Sequence, residues 1–551
     1  MKTIKTFLTV TLTSLLCISS HAKVLTVKNG VPVLNAKENS LCISPNGAAG
    51  RCKQNISGFD AGESFTYPIY SPLKKQTQIT FYTDIDSLVC SFDDYTDFSF
   101  KLLIEGLENP VNIIIHFTKE LPNKIPNSEK IYFLSLIWGE IKYNFAFYDE
   151  LNFDFDSLYN AYISIVLNTK NDIEYYDILE RFTATLKDGH TRAVGDYVSY
   201  LGVYPVKFNF FGKELFVTAT FDNERFVPLK SKVLKINSMP YMQYIEEKVL
   251  PYINLKTPYA VENRITYLLK YSKIFPDTLS LTVQTWDKKN VTYDLVSNSV
   301  ITSEYEHIKY RYITVRPIDT NERWTPMSLS WLKDSIAVLT INTFSPFDES
   351  YPVLLDSLLE TASTAKKLII DIRNNGGGAT DMSYPILKRL CKQQKFLSLA
   401  AQTRINNGAG KANGNWLKEY EDFYLMKAYQ TDSAEWIEVD SNINRYEIPV
   451  VILVSEHTAS AAEDFLIMLY EWEKRPTIIG RPTFGSTGSP LVVELPQDGY
   501  ARICTRRCLF PYSMKPFDYI KPDIEVTYTL EEYASGIDKE MEKALEILSK
   551  K

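Results

Sequence analysis

Histidine is scarce in this chain, with five among 551 residues. His21 lies in an N-terminal stretch that reads as removable, so an imidazole-dependent mechanism must draw on His116, His190, His307 or His457. Excess basic charge is also missing. Lys and Arg number 60 against 67 Asp and Glu, for a net charge of −7, and no basic stripe stands out, which excludes nucleic acid as a partner. After the first twenty residues no apolar run is long enough to span a bilayer; NIIIHF and VVILVS have strand length. The glycine-rich stretch NNGGG at 374–378 is not followed by Gly-Lys-Ser/Thr, which excludes a phosphate-binding loop. Cys504 and Cys508 have no second Cys/His pair nearby, so neither zinc nor any other metal or cofactor is expected.

What the chain does have is apolar and aromatic substance. Hydrophobic residues make up 45% and aromatics 13%, enough for more than one core and roughly three or four domains. Residues 1–22 read as an export signal: Lys2 and Lys5, the run FLTVTLTSLLCIS, then Ser20 and Ala22 at the −3 and −1 positions. The mature chain is therefore expected to be exported, to a periplasm or the extracellular space. Lipoprotein anchoring through Cys17 is the weaker reading, because the preceding Ser-Leu-Leu lacks the small residue that a lipobox needs. Six cysteines remain after cleavage, Cys42, Cys52, Cys90, Cys391, Cys504 and Cys508. An even count permits disulfides in an oxidising compartment, and Cys42 and Cys52 flank a loop that such a bond would staple.

The periodicity changes along the chain. Residues 23–125 alternate in TQITFYTDI and FSFKLLIEG between turn signals, as in a β-sandwich-like module. Residues 126–198 place apolar side chains at helical spacing, Ile178, Phe182 and Leu186 among them. Strands return over 199–300, interrupted by a helical stretch near 241–272. From 301 to 551 strands and helices alternate, which predicts a largely parallel sheet covered by helices, with LVVEL and ARICT as its last strands. The fold class is thus multidomain α+β.

Two strand-to-helix junctions in the last region carry candidate chemistry. LIIDIR runs into Gly376, Gly377 and Gly378, whose bare amides suit an anion or oxyanion; an ordinary turn is the plainer reading. VVILVS runs into EHTASAAEDF. There Ser460 is either a helix N-cap or a nucleophile at the positive end of a helix dipole, with two alanines leaving space around its hydroxyl. A serine nucleophile needs a base. His457 is close in sequence, but three residues along a tight turn rarely align a base, and His190 in LKDGHTRA is the better candidate. Its plainer alternative is a helix C-cap.

LKDGHT, LIIDIRNNGGG, VVILVSEHTASAAEDF, IIGRPTFGSTG and IKPDIEV together resemble, in order and spacing, the C-terminal processing (tail-specific) serine peptidases and the related tricorn core proteases. The resemblance covers roughly 130–530. It implies a ClpP/crotonase-like α/β core over 301–551, a helical segment carrying the histidine block over 126–198, and a PDZ-like domain over 199–300. It further implies Ser460 as nucleophile, with Ala461 and one of Gly376 and Gly377, preferably Gly377, as oxyanion donors. Members of the Ser-Lys type carry a lysine in the block that here reads TFGSTG, where Ser486 takes its place. The resemblance is therefore closer to the tricorn-like Ser-His type, with His190 as general base. Those relatives have a serine before the histidine and a late glutamate; this chain has Gly189 and no such glutamate, leaving Glu463 and Asp518 as candidate orienting residues.

The expected function is an exported serine endopeptidase acting on proteins or peptides through an acyl-enzyme, with room for a homo-oligomer. The alternative is a non-catalytic binding protein on the same fold, for an apolar ligand or peptide. A carbohydrate-binding or adhesion role for the N-terminal β module ranks third. Because Ser460 and His190 come from separate domains, some separation between them is expected.

Overall fold

The computed structural model describes residues 121–550 except 196–201, 222–226, 273–277, 298–309, 313–324 and 347; before residue 121 it describes nine strands by their backbone. Those strands form two sheets. One has the order Val27–Lys28, Val31–Leu34, Phe98–Ile104, Val111–Thr118, Ser64–Tyr70, and the other the order Lys53–Asn55, Ser40–Pro45, Thr77–Tyr82, Ser87–Phe92. The β-rich reading of this region holds at the level of strands. The expected export signal and the Cys42/Cys52 loop lie outside the described residues.

The helical spacing read between 126 and 198 becomes three helices, Asn127–Asn144, Phe155–Leu167 and Asp172–Ala184. Asp154 and Asn171 start the second and third by accepting the Asp156 and Glu174 amides on their side chains, which satisfies donors a helix start leaves unpaired. Leu134, Ile137, Leu179 and Phe182 are fully buried in one cluster. That cluster also takes in Ala501 and Ile503 from the far end of the chain. The helical segment therefore shares its core with the C-terminal region.

Residues 202–296 build an antiparallel sheet in the order Val206–Phe211, Glu214–Phe221, Lys232–Ile236, Thr278–Gln284, Asn290–Val296, with the helix Pro258–Leu269 packed on its core. Tyr310–Tyr312 also pairs with Glu214–Phe221, so this sheet continues past the expected boundary at 300.

The alternation after 330 produces a six-stranded sheet: Met327–Leu332, Ile336–Ile341, Lys367–Asp371, Val450–Val454, Thr477–Gly480, Ile524–Glu525. All neighbours are parallel except the first pair. Side chains alternate across a strand, and both faces here are apolar. Leu368, Ile370, Ile452 and Val454 join the cluster that includes the helix Ala461–Tyr470, while Ile369, Val451 and Leu453 join the one that includes Ala544 and Leu548 of the helix Lys539–Ser549. A strand buried on both sides explains the unbroken apolar run VVILV.

LVVEL and ARICT depart from expectation. They do not extend this sheet but form an antiparallel hairpin, Pro490–Leu495 with Gly499–Cys504. Arg192–Val194 adds to the hairpin as a third strand. Alternating apolar residues specify a strand with one buried face but not which sheet it joins. This small sheet attaches the segment just after His190 to the segment just after Ser486.

Candidate active site

The site forms where the strands Lys367–Asp371 and Val450–Val454 end side by side. The turn after Val454 is tied to the neighbouring strand end: the Thr458 hydroxyl donates to the Ile372 carbonyl at 2.9 Å, and the Ala459 amide donates to the Asn375 carbonyl at 3.0 Å. Ser460 follows at φ +55°, ψ −126°, directly before the helix Ala461–Tyr470. This conformation is unusual for a residue with a Cβ and projects the side chain at a sharp strand-to-helix turn.

Opposite Ser460 runs the glycine stretch. Gly377 has φ +104°, and a Cβ built on it would lie 2.6 Å from Ser460 Cβ and 3.0 Å from the Ala461 nitrogen. Gly378 has φ +143°, and its Cβ would meet the Phe344 backbone at 2.2 Å. Both positions require glycine for conformation and for space. Among the described residues the Ala461 and Gly376 amides make no hydrogen bond, whereas the Gly377 amide donates to Asn375 Oδ1 at 2.9 Å. The glycine favoured from sequence as an oxyanion donor is thus already engaged in its own turn.

His190 meets Ser460 across the site. Its Nε2 lies 3.2 Å from Ser460 Oγ and its Nδ1 lies 2.6 Å from Ser486 Oγ. The separation expected from their separate domains is absent: the small sheet joins the His190 segment to the Ser486 segment, and the Ser460 amide donates to the Ser486 carbonyl at 3.1 Å. The turn that carries His190 is held from outside by Asn254, whose side-chain amide donates to the carbonyls of Asp188 at 3.0 Å and Thr191 at 3.3 Å. Burial pushes the His190 pKa below the ordinary histidine value; Arg502 and Arg192 act in the same direction, and Asp188 opposes them. This direction favours the neutral imidazole, the form that a proton acceptor requires.

Neither candidate orienting residue touches the ring. Asp518 has an exposed side chain. Glu463 is fully buried, with Oε1 accepting from the Thr483 hydroxyl at 2.5 Å and the Gly485 amide at 2.8 Å, and Oε2 from the amides of Ser486 at 3.0 Å and Ser460 at 3.3 Å. Burial pushes its pKa up to about 8, against the pull of these donors. It anchors the 483–486 loop and the Ser460 backbone. His457 stands at the rim, half exposed, with Nδ1 3.3 Å from Asn263 Nδ2.

Ser486, which does reach Nδ1, and Asp188 behind it are residues to which sequence reading gave no role. Ser486 Oγ contacts the ring, and its hydroxyl donates to Asp188 Oδ1 at 3.1 Å. Two signals pointed that way: the acid two residues before His190, and the hydroxyl where Ser-Lys relatives have their lysine. Among the described residues Cys391, Cys504 and Cys508 are free and buried, so the disulfides that an even cysteine count permits do not form among these three. Burial holds the Cys504 and Cys508 thiols well above the ordinary thiol range.

Residues 335–526 match the family model described as "Peptidase family S41". No curated sequence matches at a significant level. Among solved structures, mature CPAF is similar with a TM-score of 0.57 at 14% identity, over 77% of this chain and 96% of that one. Looser likenesses include a putative peptidase from Parabacteroides merdae, with a TM-score of 0.44 at 19% identity over 77% of this chain and 96% of that one. The tricorn protease gives a TM-score of 0.35 at 12% identity, over 86% of this chain and 40% of that one.

Proposed function

We propose that this chain, which carries a peptidase family S41 domain over residues 335–526 and is thereby a serine-type peptidase, cleaves protein or peptide bonds with Ser460 as nucleophile and His190 as general base. The observation that carries the assignment is the 3.2 Å contact between His190 Nε2 and Ser460 Oγ, made by residues 270 positions apart.

The steps follow from the placement of the groups. His190 Nε2 takes the Ser460 proton as Oγ attacks the peptide carbonyl. The carbonyl oxygen becomes an oxyanion beside the free Ala461 amide at the start of the helix, where the helix dipole favours negative charge. The glycine turn supplies the second donor. Gly376 carries a free N–H, and Gly377 serves if its amide exchanges Asn375 Oδ1 for the substrate. The imidazolium then protonates the leaving amine, and water repeats the sequence to release the acyl group.

Further parts of this reading rest on the sequence. The signal at 1–22 supports an exported enzyme. The antiparallel sheet over 202–296 with its helix Pro258–Leu269 supports a PDZ-like role for that region; this helix touches the active-site rim through Asn263 and His457.

Labelling of residues 23–551 with a fluorophosphonate tests the assignment. Ser460 is expected to carry the label. Ser460→Ala is expected to abolish both labelling and turnover of an unfolded protein substrate, and His190→Ala to slow both by about 10³-fold or more. Full turnover in Ser460→Ala overturns the mechanism. A wild-type chain that neither labels nor cleaves but binds an apolar ligand would favour the non-catalytic alternative.

A further inference from the structure

We propose that Asp188 and Ser486 form a relay that positions His190 and supports its imidazolium, Asp188 acting on the ring through the Ser486 hydroxyl. The proposal rests on the assignment of Ser460 and His190 above and extends it to two positioning residues.

Accounting for donors fixes the proton positions. Asp188 Oδ2 accepts the Thr191 hydroxyl at 2.6 Å, and the Thr191 oxygen in turn accepts the Cys504 amide at 3.0 Å. Asp188 Oδ1 is left for the Ser486 hydroxyl at 3.1 Å. A carboxylate only accepts, so the single Ser486 hydroxyl proton points at Asp188 and an oxygen lone pair faces His190 Nδ1, 2.6 Å away. Nδ1 must then carry the ring proton. Nε2, facing Ser460, is left bare, and this is the tautomer that a general base for Ser460 requires.

The hydroxyl is also held in place from behind. The Ser486 amide donates to Glu463 Oε2 at 3.0 Å, and the Ser486 carbonyl accepts the Ser460 amide at 3.1 Å, so one residue fixes the backbone of the nucleophile and the ring of the base. Gly189 makes room for it: a Cβ there would lie 2.9 Å from Ser486 Cβ and 2.5 Å from a Phe484 ring carbon. When His190 becomes charged, the chain Nδ1–H to Oγ–H to Oδ1 presents a buried carboxylate to the cation through one hydroxyl. Arg192 and Arg502 oppose the imidazolium, and Asp188 counters them.

The test is a double-mutant cycle on the full mature chain, read as the second-order rate of Ser460 labelling by a fluorophosphonate across pH. Ser486→Ala and Asp188→Asn are each expected to slow labelling about 10- to 100-fold. The double variant should be no slower than the worse single variant, because the acid acts through the hydroxyl. In Asp188→Asn the acidic limb of the profile, which follows His190, should move to lower pH, since the cation loses its counter-charge, a shift that a purely structural role would not produce. Ser486→Thr keeps the hydroxyl and should restore most of the rate. If Asp188→Asn fails to fold, Ser486→Ala against Ser486→Thr carries the test. Multiplicative losses in the double variant, or unchanged rates with an unmoved limb, would overturn the relay. Labelling that survives in Ser460→Ala would instead overturn the underlying assignment, so the two failures are distinguishable.

Discussion

Ser460 is held where a residue with a side chain resists being held. Its φ of +55° costs on the order of 1–3 kcal/mol in a non-glycine residue, and the contacts of its amide to Ser486 and Glu463 help hold it there. Ser460→Gly should therefore raise the melting temperature relative to Ser460→Ala while both abolish labelling; equal melting temperatures would show that the backbone is not strained. At Gly377 the expectation is opposite. Gly377→Ala brings a methyl to 2.6 Å from Ser460 Cβ, so turnover should fall by at least about 10²-fold and the protein should lose roughly 1–3 kcal/mol in urea unfolding.

At the scale of elements, the junction of the helix Ala461–Tyr470 with the 483–486 loop turns on Glu463. A buried acid whose pKa is raised to about 8 binds more protons folded than unfolded between about pH 4.5 and 8. Its contribution to stability therefore declines as pH rises through that window and is level above it. Urea midpoints measured from pH 5 to 9 should show this decline in the wild type and a flatter profile in Glu463→Gln. That variant should also be less stable throughout, because an amide NH2 would face backbone and hydroxyl donors. A steeper decline in the variant would contradict the assignment.

How much of this was legible in the sequence depended on whether a signal was local. The helices between 127 and 184 and the doubly buried strand Val450–Val454 were readable because their periodicity is set within a few turns or residues. The hairpin Pro490–Cys504 was readable as two strands, but its partner Arg192–Val194 lies some 300 residues away and leaves no mark on the local pattern. The site divides in the same way. Ser460 and His190 sit in recognisable blocks, whereas the contact of Ser486 with His190 and Asp188 depends on the crossing of two loops. Asp518 illustrates the converse: a suitable residue type in a suitable stretch whose side chain the fold turns outward.

For the molecule as a whole, the C-terminal helix is bound to the sheet by charge. Arg373, almost wholly buried, donates to Asp371 at 2.6 Å, to Asp538 at 2.8 Å and to Glu540 at 2.6 Å. Arg373→Ala would remove the shared cation from Asp371, Asp538 and Glu540, the last at only 2% exposure. The expected loss is about 3–5 kcal/mol in urea unfolding, and a loss under about 1 kcal/mol would refute this role. The family domain alone should also be inert. Residues 335–526 include Ser460 and Ser486 but neither His190 nor Asp188, and a fluorophosphonate should not label that piece even if it folds.

The three-stranded sheet of Arg192–Val194, Gly499–Cys504 and Pro490–Leu495 has a consequence in time as well as in space. A ribosome makes Asp188 and His190 early, Ser460 long afterwards and Ser486 later still, and the strand that clamps the two loops together is among the last parts of the chain to appear. On the proposed assignment, the growing polypeptide holds Ser460, His190 and Ser486 before the strand that joins their loops has been made, so assembly of the site is expected to wait for that strand.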